Sequence, residues 1–182
     1  MPIILPPGFE TERLVLREAV AADAAAIFAE YASDPEVTRF LSFPTHRSVA
    51  DAEAFLATCE AARKAGRSNT YVLTRRSDGA VLGVIDLRIE TPFRLGFGYV
   101  LGRRHWGQGL MPEALAASVR WGAGQAEIWR MWAFCDVANV ASARTMEKAG
   151  LRFEGVLRRW IVHPNLGPEP RDCRAYAWVR EP

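Results

Sequence analysis

The sequence predicts an α+β domain in which helices flank one mixed, mostly antiparallel sheet of seven strands. Three observations indicate this class: short segments alternate apolar and polar residues, longer segments follow helix-capping residues, and the turn Ser77-Asp78-Gly79 separates two strand-like segments. Strand-like and helix-like segments interleave along the chain without a fixed repeat. This order is typical of an α+β protein with a single sheet.

Seven segments are predicted to be strands because each is short, apolar or alternating, and bounded by turn residues. The first has the alternating pattern of a half-buried strand, and the fifth is largely apolar, which indicates a buried one. The second and third flank the Ser-Asp-Gly turn and therefore form an antiparallel hairpin. In chain order the strands cover residues 13–17, 71–74, 81–87, 94–101, 128–134, 151–156 and 176–179.

Five segments are predicted to be helices from the signals at their ends. Residues with short polar side chains, which can accept a hydrogen bond from a free backbone amide, precede most of them. Proline at the first position favours the second helix, and a glycine follows the third and the fifth. The helices begin at or directly after Asp23, Asp34, Ser48, Pro112 and Asn139 and extend to about residues 31, 40, 65, 123 and 149.

Composition indicates one domain. The chain has 182 residues, 49% of them hydrophobic and 24% charged, with a formal net charge of +2. We expect a single domain over residues 1–182, with residues 1–10 as an extended N-terminal tail. The small charge favours neither a nucleic acid nor a membrane as a partner. Scattered cysteines, isolated histidines and the lack of a secretory signal predict a cytoplasmic location and no metal site.

The most informative segment is residues 99–114, where a strand leads through a basic, glycine-containing loop into a helix. Gly107 and Gly109 allow a sharp turn and a close approach to a ligand. The first amides of the following helix lack helical partners and suit an anion, which Arg104 could contact from the other side. The segment therefore predicts a diphosphate site, although two glycines also suit a plain turn. A dinucleotide-binding loop is disfavoured because Pro112 replaces its third glycine.

This Arg-x-x-Gly-x-Gly segment resembles the pyrophosphate-binding loop of the GNAT acetyltransferase superfamily. Residues 83–87 and 98–101 strengthen the resemblance. Residues 139–156 are similar to the Asn-x-x-Ser…Glu-Lys-x-Gly-Phe…Glu-Gly signature of the branch that includes the ribosomal-protein alanine N-acetyltransferases. The resemblance covers residues 11–180. It implies a three-layer fold and the transfer of an acetyl group from acetyl-coenzyme A to a primary amine, without a metal.

The resemblance also implies roles for individual residues. Backbone amides of residues 98–101 bind the pantetheine arm and the thioester oxygen where this strand parts from the strand at 128–134. Asn139, which also suits a plain helix cap, contacts coenzyme A. Ser142 contacts the pantetheine arm or protonates the thiolate, or is a small packing residue. The residues expected to bind the co-substrate are Tyr99, Val100, Leu101, Arg104, Trp106, Gly107, Gln108, Gly109, Leu110, Asn139 and Ser142.

The sequence departs from the family pattern at two positions. Many members carry a tyrosine acid seven residues after the asparagine, where this chain has Met146. In the branch named above, a glutamate often stands two residues before the Gly-Tyr pair of the strand, where this chain has Gly96. No acidic residue replaces it in the local sequence. The nearest carboxylates belong to Asp86, Glu90 and Asp136, and the candidate catalytic residues are Ser142, Asp86 and Asp136.

A site without a strong base favours an acceptor amine of low pKa. An α-amine with a pKa near 8 is about a tenth neutral at pH 7, whereas a lysine amine near 10.4 is far less so. The acceptor is therefore expected to be the α-amine of a protein or peptide. The loops at 43–46 and 160–163 are expected to frame its pocket, unless their aromatic residues merely cover the core.

Three other functions are compatible with these residues. The chain could be a non-catalytic module that binds or senses acyl-coenzyme A, since two family residues are missing. It could acetylate a small-molecule amine such as a polyamine, an amino acid or an antibiotic. A dinucleotide-dependent oxidoreductase is the third. The chain is expected to be a monomer or a homodimer, because exposed strand edges are often covered by a second copy.

Overall fold

The computed structural model describes residues 3–181. Its strands are β1 (Gly8–Glu10), β2 (Leu14–Glu18), β3 (Ser68–Arg75), β4 (Val81–Thr91), β5 (Arg94–Leu101), β6 (Arg130–Asp136), β7 (Arg152–Val162) and β8 (Pro170–Val179). They form one 8-stranded sheet in the order β1-β2-β3-β4-β5-β6-β8-β7. Neighbouring strands are antiparallel except β5 and β6, which are parallel. The predicted mixed, mostly antiparallel sheet is confirmed.

Helices cover both faces of the sheet. They are α1 (Ala24–Ile27), α2 (Pro35–Thr38), α3 (Val49–Lys64), α4 (Leu110–Ala123) and α5 (Val140–Lys148), with a π-helical turn at Phe28–Ala32 after α1. Buried residues of α1, α2 and α3 pack against Val72, Val84 and Val100 on one face. Buried residues of α4 and α5 join Leu73, Leu95 and other strand residues on the opposite face. Within residues 3–181, no helix is both long and apolar enough to cross a membrane.

The N-terminal segment departs from the prediction of a tail and of seven strands. β1 is an eighth strand and pairs with β2 through Phe9 and Leu16. A Cβ on Gly8 would lie 2.5 Å from the carbonyl oxygen of Leu16, so the two backbones approach as only a glycine permits. Phe9 packs edge-on against Tyr71, with 5.1 Å between ring centroids. Long-range packing therefore orders this segment; residues 1 and 2 of the predicted tail lie outside the described residues.

The last two strands are longer than predicted. β7 and β8 extend toward each other beyond the predicted ends, and Trp160, expected in a loop, lies within β7. A register shift between Leu157 and Ile161 interrupts the pairing, with Arg159 at a φ of 49°. The strands continue past this bulge, which the sequence pattern did not reveal. Pro170 is tolerated because it is the first residue of β8.

The first helix also differs from its predicted form. Asp23 does not cap α1 with its side chain. Its carboxylate instead accepts hydrogen bonds from the backbone amide of Val20 at 2.9 Å and from both Nη atoms of Arg17, at 2.9 and 2.6 Å. The carboxylate of Asp23, which was expected to cap α1, is therefore paired with Arg17. Asp34 behaves as predicted, since its side chain accepts from the amide of Glu36.

Candidate active site

The candidate site begins where β5 and β6 separate. Their parallel pairing covers three rungs and ends at Gly96 and Trp132. Beyond this point β5 stays paired with β4 as far as Leu101, and β6 stays paired with β8 as far as Asp136. The edge of β5 that faces β6 therefore has no strand partner in the described chain. The separation implied by the family resemblance is present.

The glycine loop closes one end of this gap. Gly107 and Gly109 both have a φ of +74°, which confirms the predicted sharp turn. α4 begins directly after Gly109, and none of the described side chains caps it. Its first amides are therefore free to meet an anion, with the positive end of the helix dipole behind them. Trp106 holds the loop through a hydrogen bond from Nε1 to the carbonyl oxygen of Leu101 at 2.7 Å.

The start of α5 forms the other wall. The side chain of Asn139 accepts a hydrogen bond from the amide of Ser142 at 3.1 Å, which confirms the helix cap. The hydroxyl groups of Ser142 and Tyr99 lie 2.7 Å apart, so a hydrogen bond links α5 to β5 across the gap. Burial raises the pKa of Tyr99, opposed by the hydrogen bond with Ser142. Burial also raises the pKa of the nearby Cys135 thiol to about 11.

A groove of about 570 Å³ runs between these walls. Most of the residues predicted to bind the co-substrate line it: Tyr99, Val100, Leu101, Trp106, Gly107, Gly109, Leu110, Asn139 and Ser142. Arg104 and Gln108 do not. The groove also contains three cations that the sequence analysis did not assign, Arg39, Arg144 and Lys148. The last two follow Asn139 on the same helix, and that position relative to the cap is the signal that would have suggested them.

Arg104 faces a carboxylate rather than the groove. Its guanidinium forms an ion pair with Glu30, and Nε lies 2.9 Å from Oε1. The side chain of Glu30 is only 4% exposed, and its Oε1 also lies 2.9 Å from Nε2 of His105. Arg104 therefore does not line the groove, and its contact with a bound anion stays a prediction. Glu30 belongs to the π-helical turn, and its local sequence contained no signal of this contact.

Arg13 supports the glycine loop from behind. Its Nη1 donates to the carbonyl oxygen of Gln108 at 2.9 Å, and Glu113 of α4 holds its Nε at 2.7 Å. A Cβ on Gly109 would lie 3.6 Å from Nη2 of the same arginine. The carbonyl between the two glycines is thus fixed toward Arg13. The loop is held by a residue distant in sequence, which local spacing could not identify.

The two candidate aspartates lie outside the groove. Asp136, at the end of β6, is fully buried and accepts hydrogen bonds from Nε of Arg171 at 2.5 Å and from the amide of Ala138 at 2.8 Å. Burial alone would raise the pKa of Asp136, but the hydrogen bonds from Arg171 hold it below the usual value. Asp86 binds the hydroxyl of Thr70 and the guanidinium of Arg88, and burial raises its pKa. Both arrangements favour a structural role.

A carboxylate does occupy the space next to Gly96. A Cβ on this glycine would collide with Oε1 of Glu90, on the neighbouring strand. The same carboxylate accepts a hydrogen bond from Nε1 of Trp132 at 2.7 Å and lies 2.9 Å from Nε of Arg94. Glu90, one of the three nearest carboxylates named from the sequence, is thus the one that lies beside Gly96. The register of β4 shifts between Ile89 and Thr91, which local sequence does not reveal.

Of the two loops expected to frame the acceptor pocket, the first is held by Asn165, whereas most of the second, residues 160–163, belongs to β7. The side-chain amide of Asn165 donates to the carbonyl oxygens of Thr38 and Phe43, and its Oδ1 accepts from the amide of Thr45 at 2.9 Å. The first loop is therefore held against the segment that follows β7. Within the described chain, no group of three or more His, Cys, Asp or Glu residues is arranged to bind a metal.

A sequence model of the family described as "Acetyltransferase (GNAT) domain" matches residues 13–152. The chain belongs to the GNAT acetyltransferase family. It is 30% identical to the uncharacterised N-acetyltransferase YoaA of Bacillus subtilis over 176 residues, which cover 96% of this chain and 97% of that protein. It is an N-acetyltransferase. The alternatives of a non-catalytic module and of an oxidoreductase are rejected, because the matching family model and the matching relative are both acetyltransferases.

Solved GNAT structures share the fold. The microcin C7 self-immunity acetyltransferase MccE, solved with acetyl-CoA and AMP, has a TM-score of 0.86 at 18% identity, covering 97% of this chain and 98% of that one. RimL, a ribosomal L7/L12 α-N-protein acetyltransferase solved with coenzyme A, has a TM-score of 0.79 at 20% identity, with the same coverage. The predicted resemblance to the ribosomal-protein branch is confirmed at the level of fold. GNAT structures thus bind coenzyme A or its acetyl ester.

Proposed function

We propose that this GNAT enzyme transfers the acetyl group of acetyl-coenzyme A to a weakly basic primary amine, by direct attack within a ternary complex. The observation that carries the proposal is the unpaired edge of β5, which lies between an open helix N-terminus and the hydroxyl of Ser142. The acceptor class we favour is the α-amine of a peptide or protein.

The groove supports binding of the co-substrate. The free amides at the start of α4 suit the diphosphate, because they combine hydrogen-bond donors with the helix dipole. Arg39, Arg144 and Lys148 line the groove and supply positive charge for further phosphate oxygens. The pantetheine arm carries amide groups. It therefore suits the edge of β5, where backbone groups lack a strand partner.

The chemistry needs a polarised thioester and a proton for the departing thiolate. A backbone amide of β5 held toward the thioester oxygen is commonly worth about 3 to 4 kcal/mol in the transition state. The amine nitrogen forms a bond to the carbonyl carbon, the C–S bond breaks, and the departing thiolate takes the hydroxyl proton of Ser142. The proton that the nitrogen loses as it becomes an amide restores the serine hydroxyl, so the products are the acetylated amine and the neutral thiol of coenzyme A. Tyr99 positions this hydroxyl, since the two oxygens lie 2.7 Å apart. Met146 has no part in the step, because it is buried in the core.

The preference for an α-amine follows from the protonation state that attack requires. Only the neutral amine has a free lone pair, and an α-amine has about a tenth of its population in that form at pH 7. None of the three nearest carboxylates is among the described residues that line the groove. Asp136 and Asp86 are engaged by arginines. Glu90 is held by Trp132 and Arg94. A small-molecule amine of similarly low pKa satisfies the same chemistry, so the acceptor panel has to include both classes.

The test is release of coenzyme A from acetyl-coenzyme A in the presence of peptides with free N-termini, amino acids, spermidine and an aminoglycoside. We expect turnover with peptide α-amines. The pH at which kcat/KM stops rising should follow the pKa of each acceptor, because the amine itself is the titrating group. A single inflection shared by all acceptors contradicts direct attack without an enzymic base. Turnover of polyamines alone contradicts the α-amine assignment.

A further inference from the structure

Two glycines on β5 leave space on the sheet face that α4 and α5 do not cover. A Cβ on Gly96 would collide with Glu90, and a Cβ on Gly98 would lie 2.8 Å from Nη1 of Arg88. Arg88 donates to the carbonyl oxygen of Phe97 at 3.0 Å and forms an ion pair with Asp86. Charged side chains from β4 thus fill the places that two β5 side chains would take.

Glu90 lies at the point where the sheet divides. Its carboxylate rests against Gly96 of β5 and accepts a hydrogen bond from Trp132 of β6, and these two residues form the last paired rung. The side chain is 24% exposed, so solvent reaches the carboxylate. A carboxylate has about four lone-pair sites, and Trp132 and Arg94 occupy only part of this capacity. Glu90 can therefore accept a further donor beside the gap.

An aromatic cluster adjoins this carboxylate. The ring centroids of Trp132 and Phe134 are 5.8 Å apart, and Trp160 lies 6.1 Å from the first and 5.9 Å from the second. Trp160 is 47% exposed. A carboxylate beside one exposed and two half-buried aromatic rings suits an amine that carries an apolar substituent, because the two ends of such a molecule need these two environments.

We propose that Glu90 accepts a hydrogen bond from the acceptor amine and holds its lone pair toward the gap, while the cluster of Trp132, Phe134 and Trp160 contacts the apolar substituent. The inference rests on the proposed function and specifies its acceptor: an α-amine next to an apolar side chain. Asp86 does not compete for this role, because its carboxylate contacts Thr70 of β3, on the side of β4 away from the gap, whereas that of Glu90 contacts Trp132 of β6.

The test compares two acceptors, phenylalanyl-glycyl-glycine and triglycine. We expect the wild-type enzyme to prefer the first. Glu90→Gln keeps the side-chain size and an oxygen for Trp132, but it removes the charge that strengthens the hydrogen bond to the amine. We expect the KM for phenylalanyl-glycyl-glycine to rise about tenfold to a hundredfold. The KM for acetyl-coenzyme A and the Kd for coenzyme A should not change. Glu60→Gln, at an exposed carboxylate of α3 paired with Lys64, is the matched control and should leave every constant unchanged.

Two further variants separate the role of Glu90 from a structural one. Gly96→Ala keeps the carboxylate but displaces it, so the KM for the peptide should rise severalfold while coenzyme A binding stays the same. Trp160→Ala should reduce the preference for phenylalanyl-glycyl-glycine over triglycine. The proposal is overturned if Glu90→Gln leaves the KM for phenylalanyl-glycyl-glycine unchanged. It is also overturned if the KM for this peptide and the KM for acetyl-coenzyme A rise equally.

The outcomes also distinguish this inference from the proposed function. If the wild-type enzyme acetylates spermidine or an aminoglycoside but neither peptide, this inference fails and acetyl transfer from acetyl-coenzyme A stands. If it acetylates no amine in the panel, both fail.

Discussion

Two pairs of glycines adjoin the gap between β5 and β6. One pair lies in the loop at its end and the other in β5, and the two pairs are required for different reasons. Gly107 and Gly109 have a φ of +74°, a backbone conformation that other residues adopt at a cost. Gly96 and Gly98 lie in β5 without positive φ, and it is their lack of a side chain that matters, because Glu90 and Arg88 occupy the space. The first pair shapes the backbone for an anion, whereas the second yields room to side chains of another strand.

This comparison leads to different expectations for the two sides of the gap. Changes on the side of α4 and α5 should affect coenzyme A binding or the chemical step. Changes on the opposite face should affect the acceptor or the stability of the fold.

The largest effect is expected from Gly109→Val. A valine at this φ is strained, and the glycine loop would have to move away from the start of α4. We expect the affinity for coenzyme A to fall at least about a hundredfold in isothermal titration, since two or more charge-assisted hydrogen bonds are lost. The matched control is Gly79→Val, at a φ of +72° in the β3–β4 turn with open space around it. It imposes similar strain and should leave the affinity unchanged; an equal loss in both variants contradicts the anion site.

Ser142→Ala is expected to lower kcat by about a hundredfold, because general acid catalysis contributes at least that much. The KM for acetyl-coenzyme A should change little, since the proton transfer belongs to the transition state. Steady-state kinetics measures both constants. Ser118→Ala removes another helical hydroxyl, which is buried and bonded to the carbonyl oxygen of Ala114, and should leave kcat unchanged. An unchanged kcat in Ser142→Ala would return this residue to a packing role.

Tyr99→Phe removes the hydroxyl that positions Ser142 but keeps the ring. A neutral hydrogen bond contributes about 1 kcal/mol, so kcat should fall about fivefold to tenfold, less than in Ser142→Ala. In the double variant, kcat should be no lower than in Ser142→Ala alone, because the two hydroxyls act through one proton transfer. Independent, multiplying losses would show that Tyr99 acts by another route.

The smallest effect on catalysis is expected from Asp136→Asn. Although burial opposes it, Arg171 holds the pKa of Asp136 below that of an unfolded aspartate, about 3.9. The ionised pair therefore stabilises the fold above that value, and this contribution is lost as the pH falls through the lower pKa of the folded state. The free energy of unfolding of the variant should be lower by about 1 to 2 kcal/mol near pH 7, since Arg171 is partly exposed, while kcat stays within about twofold.

Thermal unfolding at pH 7 and pH 3 measures this loss of stability, and the difference between the variant and the wild type should be smaller at pH 3. A large loss of kcat in a stable protein would make Asp136 catalytic.

Short-range signals in the sequence determined much of the fold and half of the site. The turn at Asp78-Gly79, the cap at Asn139 and the glycines of the loop each act over a few residues, so their spacing predicts the hairpin, the start of α5 and the open start of α4. The family signature then indicated where the strands part. These features need no knowledge of distant neighbours.

Tertiary structure alone decided which charged groups meet. Glu30 and Arg104 are 74 residues apart, and Trp132 and Glu90 are 42 residues apart. Their contacts depend on how a helix docks on the sheet and on the register of β4 against β5, including a shift between Ile89 and Thr91. A shift of one residue in register reverses the face on which a side chain lies, and local pattern does not specify such shifts at a bulge. For this reason the local sequence indicated no carboxylate beside Gly96, whereas in the folded chain Glu90 of the adjacent strand lies there.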